Sequence, residues 1–156
     1  MLDRETEGES GTRALGEALG AMLVAGDLVL LEGGLGAGKT VFVQGLAKGL
    51  GLRGAVKSPT FTLVHEHHRL AWPGARADLA HFDLYRLPDG ASIQDLALDD
   101  FLELGVVAVE WGGRLAPDYP EHFLVTILDQ PGAAERRRIR IEGHGAASAR
   151  RATELV

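Results

Sequence analysis

Eight residues, Gly33-Gly34-Leu35-Gly36-Ala37-Gly38-Lys39-Thr40, constrain this chain more than any other stretch, because they match the phosphate-binding pattern GxxxxGK[ST]. The pattern has meaning only between a strand and a helix, and both flanks are present. Leu28-Val29-Leu30-Leu31 is an unbroken apolar run that reads as a buried strand, and residues 41–50 read as a helix. A polyphosphate needs backbone N–H groups turned inward around it, a wrap that glycines allow because no Cβ obstructs it. The following helix adds the positive end of its dipole, Lys39 reaches the β- and γ-phosphates, and Thr40 offers a hydroxyl to Mg²⁺. A chance match in a chain this long is on the order of one per cent at average composition. The expectation is a nucleoside triphosphate site in a single α/β domain with a mainly parallel central sheet and flanking helices.

The bulk properties narrow the class. With 156 residues the chain has the size of one domain, and 46% hydrophobic and 24% charged residues are ordinary for a globular protein. Without cysteine there is neither a disulfide framework nor a thiolate metal site. No apolar run approaches membrane-spanning length, and Asp3, Glu5, Glu7 and Glu9 occupy the start instead of a basic leader. A cytoplasmic protein without a membrane partner is expected. The net charge of −6 argues against a general nucleic-acid binder, and no DNA partner is expected. Arg136, Arg137, Arg138, Arg140, Arg150 and Arg151 are concentrated near the end. They read either as a solvated strand face with a tail, or as a docking surface for RNA or an acidic partner.

Along the chain, residues 1–11 are expected to be a flexible segment, 12–145 the domain, and 146–156 a frayed tail. Ala14, Leu15, Ala18, Leu19, Met22 and Leu23 form a helical stripe ended by Gly26. Residues 71–77, with Pro73-Gly74, read as a hairpin tip, 79–85 as a strand and 91–104 as a helix. Val106-Val107-Ala108-Val109 is typical of a buried parallel strand, and it ends in Glu110. Residues 123–127 and 138–142 alternate as half-buried strands do.

Hydrolysis or transfer of a phosphoryl group also needs a carboxylate near the metal. Asp83 and Glu110 both close apolar strand segments, at the edge where open α/β sheets bind ligands. Either is placed to hold Mg²⁺ or to orient the attacking water, and either is otherwise an ordinary strand-end acid. Thr60, in Lys57-Ser58-Pro59-Thr60, has the position of a residue that senses the γ-phosphate, or of a plain loop threonine. His65, His67, His68 and His81 are expected to be surface imidazoles instead of metal ligands. A GTPase reads guanine through Asn-Lys-x-Asp, and this chain contains no asparagine. A small-metabolite kinase and a nucleotide-dependent binding module with incidental turnover stay open as alternatives.

Four linked segments carry a resemblance. Leu31-Glu32 followed by the glycine-rich loop, residues 56–64 around Ser58-Pro59-Thr60, His81-Phe82-Asp83-Leu84-Tyr85-Arg86-Leu87 and Val109-Glu110-Trp111 resemble the TsaE (YjeE) ATPases in order and spacing, over roughly residues 12–143. The resemblance implies a small Mg²⁺-dependent ATPase needed for threonylcarbamoyl modification of adenosine 37 in tRNAs that read ANN codons. It implies the partners TsaD and TsaB, with tRNA met through that complex and TsaC making the activated threonylcarbamoyl-adenylate. Carried over residue by residue, it implies phosphate contacts from residues 33–41 (Gly33, Gly34, Leu35, Gly36, Ala37, Gly38, Lys39, Thr40 and Val41). It implies Thr40 and Glu110 as Mg²⁺ ligands, Lys39, Asp83 and Glu110 as catalytic residues, and Thr60 as the switch-like threonine. Trp111 is then beside the nucleotide and Thr12 near the adenine. The chain departs from the family pattern at Gly34, where Asp is usual, at Val41, where a second Thr is usual, and at Gly112, where Pro is common.

Overall fold

Apolar runs without alternation lie in the middle of the sheet, and alternating segments lie beside them. The computed structural model describes residues 1–54, 56–59 and 63–155. Its strands are β1 (Leu2–Glu7), β2 (Leu28–Gly33), β3 (Val64–His67), β4 (Asp78–Asp83), β5 (Gly105–Glu110), β6 (His122–Gln130) and β7 (Ala133–His144). They make one sheet in the order β1-β7-β6-β2-β5-β4-β3. The four central strands β6, β2, β5 and β4 run parallel. The hairpins β3–β4 and β6–β7 and the pair β1–β7 are antiparallel. The sheet is thus mixed, with the expected parallel centre, and β5 is buried at every residue because both its faces are covered.

Helices α1 (Gly8–Gly20), α2 (Lys39–Gly49) and α4 (Ala146–Glu154) cover one face, where Leu19, Phe42, Leu46 and Ala152 meet Val29, Leu31, Val106 and Ala108. α3 (Leu98–Leu104) covers the other, where Leu96 and Leu98 meet Leu30, Phe82 and Val109. α1 and α2 touch backbone to backbone. A Cβ on Gly16 would stand 2.3 Å from the Phe42 carbonyl oxygen, so this contact requires glycine. That approach brings the start of α1 to the loop that opens α2. Among the described residues, no helix is long and apolar enough to cross a membrane.

Three expectations are corrected. Residues 1–11 form β1 and the first turn of α1, which begins at Gly8 and ends at Gly20. Their acids gain a partner only when β7 lies alongside: Asp3, Glu5 and Glu7 stand opposite Arg140, Arg138 and Arg136. Opposite charges directly across a ladder stabilise it. The expected tail is α4, with Ala152 and Leu155 in the core and Arg151 bonded to both carboxylate oxygens of the buried Asp27. Residues 91–104 are not one helix. A 3₁₀ turn (Ile93–Leu96) is separated from α3 by Ala97, whose φ of 52° lies in the left-handed region.

Candidate functional site

The loop after β2 turns at Gly36 (φ 75°) and Gly38 (φ 111°), and Gly38 caps α2. Left-handed angles at these two glycines let consecutive N–H groups line one concavity, which the α2 N-terminus extends. Lys39 Nζ donates to the carbonyls of Gly33 (2.7 Å) and Gly34 (2.8 Å). It also lies 4.0 Å from the centre of the Trp111 ring. An ammonium has three hydrogens, so one is left for a ligand. Burial holds the Lys39 ammonium below its ordinary pKa, while Glu110, Asp83 and Glu32 act the other way.

Trp111 is held over Lys39 by its backbone. Its φ of 58° is rare for a side chain of this size. The next loop residues are tied to β2, with Gly113 N–H donating to Glu32 Oε1 and Gly112 N–H to the Leu31 carbonyl. A Cβ on Gly112 would stand 2.7 Å from the Val109 carbonyl oxygen, so this turn favours glycine at the position where the family pattern commonly has proline. Tyr85 packs on Trp111 with ring centres 5.1 Å apart.

Asp83 and Glu110 end neighbouring parallel strands and are register partners. Each carboxylate has its own donors. Thr40 Oγ1 donates to Glu110 Oε1 (2.6 Å), and His81 Nε2 lies 2.9 Å from the same oxygen. Ser58 Oγ donates to Asp83 Oδ2 (3.0 Å), and Tyr85 N–H to Oδ1 (3.0 Å). The Thr40 hydrogen is committed to Glu110, so its lone pairs are free to face a hard cation. Thr40 and Glu110 are therefore able to hold one, with further oxygens from phosphates and water, as Mg²⁺ is usually bound.

Residues 35–41, Thr12, Ser58, Asp83, Tyr85, Glu110 and Trp111 surround a cavity of about 480 Å³. Gly33 and Gly34 do not line it; their carbonyls anchor Lys39 beneath it. Thr12 is buried beside Gly38 on the α1 wall. Thr60 lies outside the described residues. Sequence reasoning missed Gly8 and Glu9 at the start of α1, and Ala134, Glu135 and Arg137 on β7, which pairs with the strand leading into Gly8. Arg137 Nε donates to the Ala37 carbonyl at 3.2 Å and lies 3.1 Å from Asp129 Oδ1. No local pattern marks a residue 100 positions from its loop partner; only its place in an Arg-rich strand drew notice.

The histidines divide. His68 is exposed and 3.4 Å from Asp78, while His65 and His67 are half-buried, with burial lowering the His67 pKa. His81 is fully buried, which corrects the expected surface imidazole. Among the described residues, no group of three or more His, Asp or Glu side chains is arranged to hold a metal.

A glycine loop between β2 and α2, at the C-terminal edge of a parallel centre and facing an acid on the next strand, defines a protein of the P-loop fold. The crystal structure of Bacillus subtilis YdiB is similar, with a TM-score of 0.77 and 29% identity over 99% of this chain and 93% of that one. Residues 6–139 match the family model of the threonylcarbamoyl adenosine biosynthesis protein TsaE. Relatives named tRNA threonylcarbamoyladenosine biosynthesis protein TsaE are 43% identical in Streptomyces coelicolor (85% of this chain, 90% of that one) and 38% identical in Bacillus subtilis (87% and 82%). The chain belongs to the TsaE family.

Proposed function

We propose that the chain binds ATP with Mg²⁺ in this cavity and hydrolyses it, and that turnover supports threonylcarbamoyl modification of adenosine 37 in tRNAs reading ANN codons. It would do so in the cytoplasm, with TsaD and TsaB, meeting tRNA through their complex. The observation that carries the ATPase half is the bond from Thr40, at the end of the glycine loop, to Glu110 on the neighbouring strand. It joins a phosphate-binding turn to a carboxylate in the arrangement that phosphoryl transfer needs. Membership of the TsaE family supports the tRNA half.

In this reading the loop N–H groups and Lys39 hold the phosphates, and Thr40 and Glu110 hold Mg²⁺. When bound there, Mg²⁺ would supply positive charge against the phosphate oxygens. Asp83 orients a water for attack on the γ-phosphorus; the bond to the β–γ bridging oxygen breaks, and ADP and phosphate leave. Reconstitution with TsaB, TsaD, threonylcarbamoyl-adenylate and tRNA tests the whole. Multiple-turnover modification is expected to require this chain and ATP, and Glu110→Ala is expected to fail. Modification at full rate without the chain rejects the reading.

A further inference from the structure

His81 stands on β4 two residues before Asp83, on the same face of the sheet, and none of its surface is exposed. Nε2 lies 2.9 Å from Glu110 Oε1, and Nδ1 has no hydrogen-bond partner among the described residues. A carboxylate only accepts, so in the neutral imidazole the proton sits on Nε2 and donates to Glu110. That leaves Nδ1 as an unpaired buried acceptor, a cost an apolar side chain of similar size would avoid. What Nε2 holds is therefore the reason for a histidine here.

Two donors, His81 and Thr40, converge on Oε1, which fixes the plane of the carboxylate and leaves Oε2 for the cavity that Glu110 lines. Asp83 adds a like charge on the same face of the sheet. It is the register partner of Glu110, and two carboxylates side by side repel. His81 approaches Glu110 from the strand that carries Asp83, so one strand supplies both the repelling charge and the group that offsets it.

We infer that His81 is a positioning residue that holds Oε1 of Glu110 and thereby keeps its second oxygen for Mg²⁺, an inference that rests on the Mg²⁺–ATP reading of the cavity. Partners that orient a metal ligand typically set affinity for the metal by 10–100-fold. The test compares His81→Gln, whose amide nitrogen matches the reach of Nε2, with His81→Asn, which is too short, and His81→Leu, which lacks a donor. ATP binding is followed by Trp111 fluorescence with and without Mg²⁺, and the Mg²⁺ midpoint is read from the titration.

For His81→Asn and His81→Leu the midpoint is expected to rise about 10-fold or more, with Mg²⁺-free ATP affinity unchanged. His81→Gln should stay within about threefold of the unmodified protein. If the leucine variant does not fold, the glutamine–asparagine pair carries the test alone. An unshifted midpoint in His81→Asn, or equal shifts in Gln and Asn, overturns the inference. Failure of the unmodified protein to bind ATP at all overturns the Mg²⁺–ATP reading itself, and is seen before any variant is made.

Discussion

Two groups of charged residues show how differently this chain uses the same chemistry. At the C-terminal edge of β4 and β5, Lys39 and Glu110 are each only 4% exposed and His81 not at all. Their partners come from four separate segments: the glycine loop, α2, β4 and β5. At the outer pair β1–β7, Asp3, Glu5 and Glu7 face Arg140, Arg138 and Arg136 directly across the ladder, with most of these side chains in water. In the buried group, removing one member strands the others without water to replace it. In the exposed group, solvent takes over, and a pair adds little. Burial, not charge count, separates a site from a seam.

The comparison breaks most readily at Lys39. Lys39→Ala should weaken ATP binding by about 100-fold or more, since it removes the ammonium anchored to the Gly33 and Gly34 carbonyls. Calorimetry checks this, and wild-type affinity would remove the phosphate-site assignment. Glu110→Ala and Asp83→Ala should leave ADP affinity within a few-fold and cut hydrolysis by about 100-fold, because metal charge and water orientation matter most in the transition state. Near-normal turnover in both would make the pair an ordinary strand end, no different in kind from the β1–β7 seam.

The legibility of the chain follows the same division. The glycine loop, β5 and Glu110 could be read directly, because each announces itself within ten residues: a fixed motif, or an apolar run closed by an acid. The β1–β7 seam could not, because Asp3 and Arg138 are 135 positions apart: alternation marks 138–142 as a strand but names no partner for it, and residues 2–7 show no apolar alternation. His81 was misread for a related reason. Its alternation with Leu79 and Asp83 marks an inward face, but a buried imidazole makes sense only once β5 brings Glu110 alongside. Ala97 gave no sign of the left-handed break before α3, since that conformation usually calls for glycine.

Arg137 belongs to both groups, and it sharpens the comparison. It is on β7, in the Arg-rich run, yet its guanidinium turns to the Ala37 carbonyl and lines the cavity. A group that fixes an outward carbonyl also fixes the direction of the loop N–H groups beside it. Arg137→Ala should therefore weaken ATP binding by about 5–10-fold, the range of one charge-assisted hydrogen bond in a partly exposed setting. Arg138→Ala, one residue on, should leave binding unchanged. Equal effects from the two variants would mean that net positive charge, not the tether to the loop, is what the cavity uses.

The smallest effect is expected at Asp3. Arg138 donates to both its carboxylate oxygens at 2.8 Å, and this bond holds the Asp3 pKa below its ordinary 3.8. The group is therefore charged more readily in the folded chain than in the unfolded one. Its contribution to stability is present above pH 3.8 and is lost as the pH falls from there through the lower folded value. Asp3→Asn should lower the melting temperature slightly at pH 7, and the two proteins should converge under acid. Salt of about 1 M should also narrow the gap, because an exposed pair is screened where a buried one is not. A gap that survived both acid and salt would show that Asp3 holds β1 by packing or geometry instead of charge, and the seam would then resemble the site more closely than its exposure suggests.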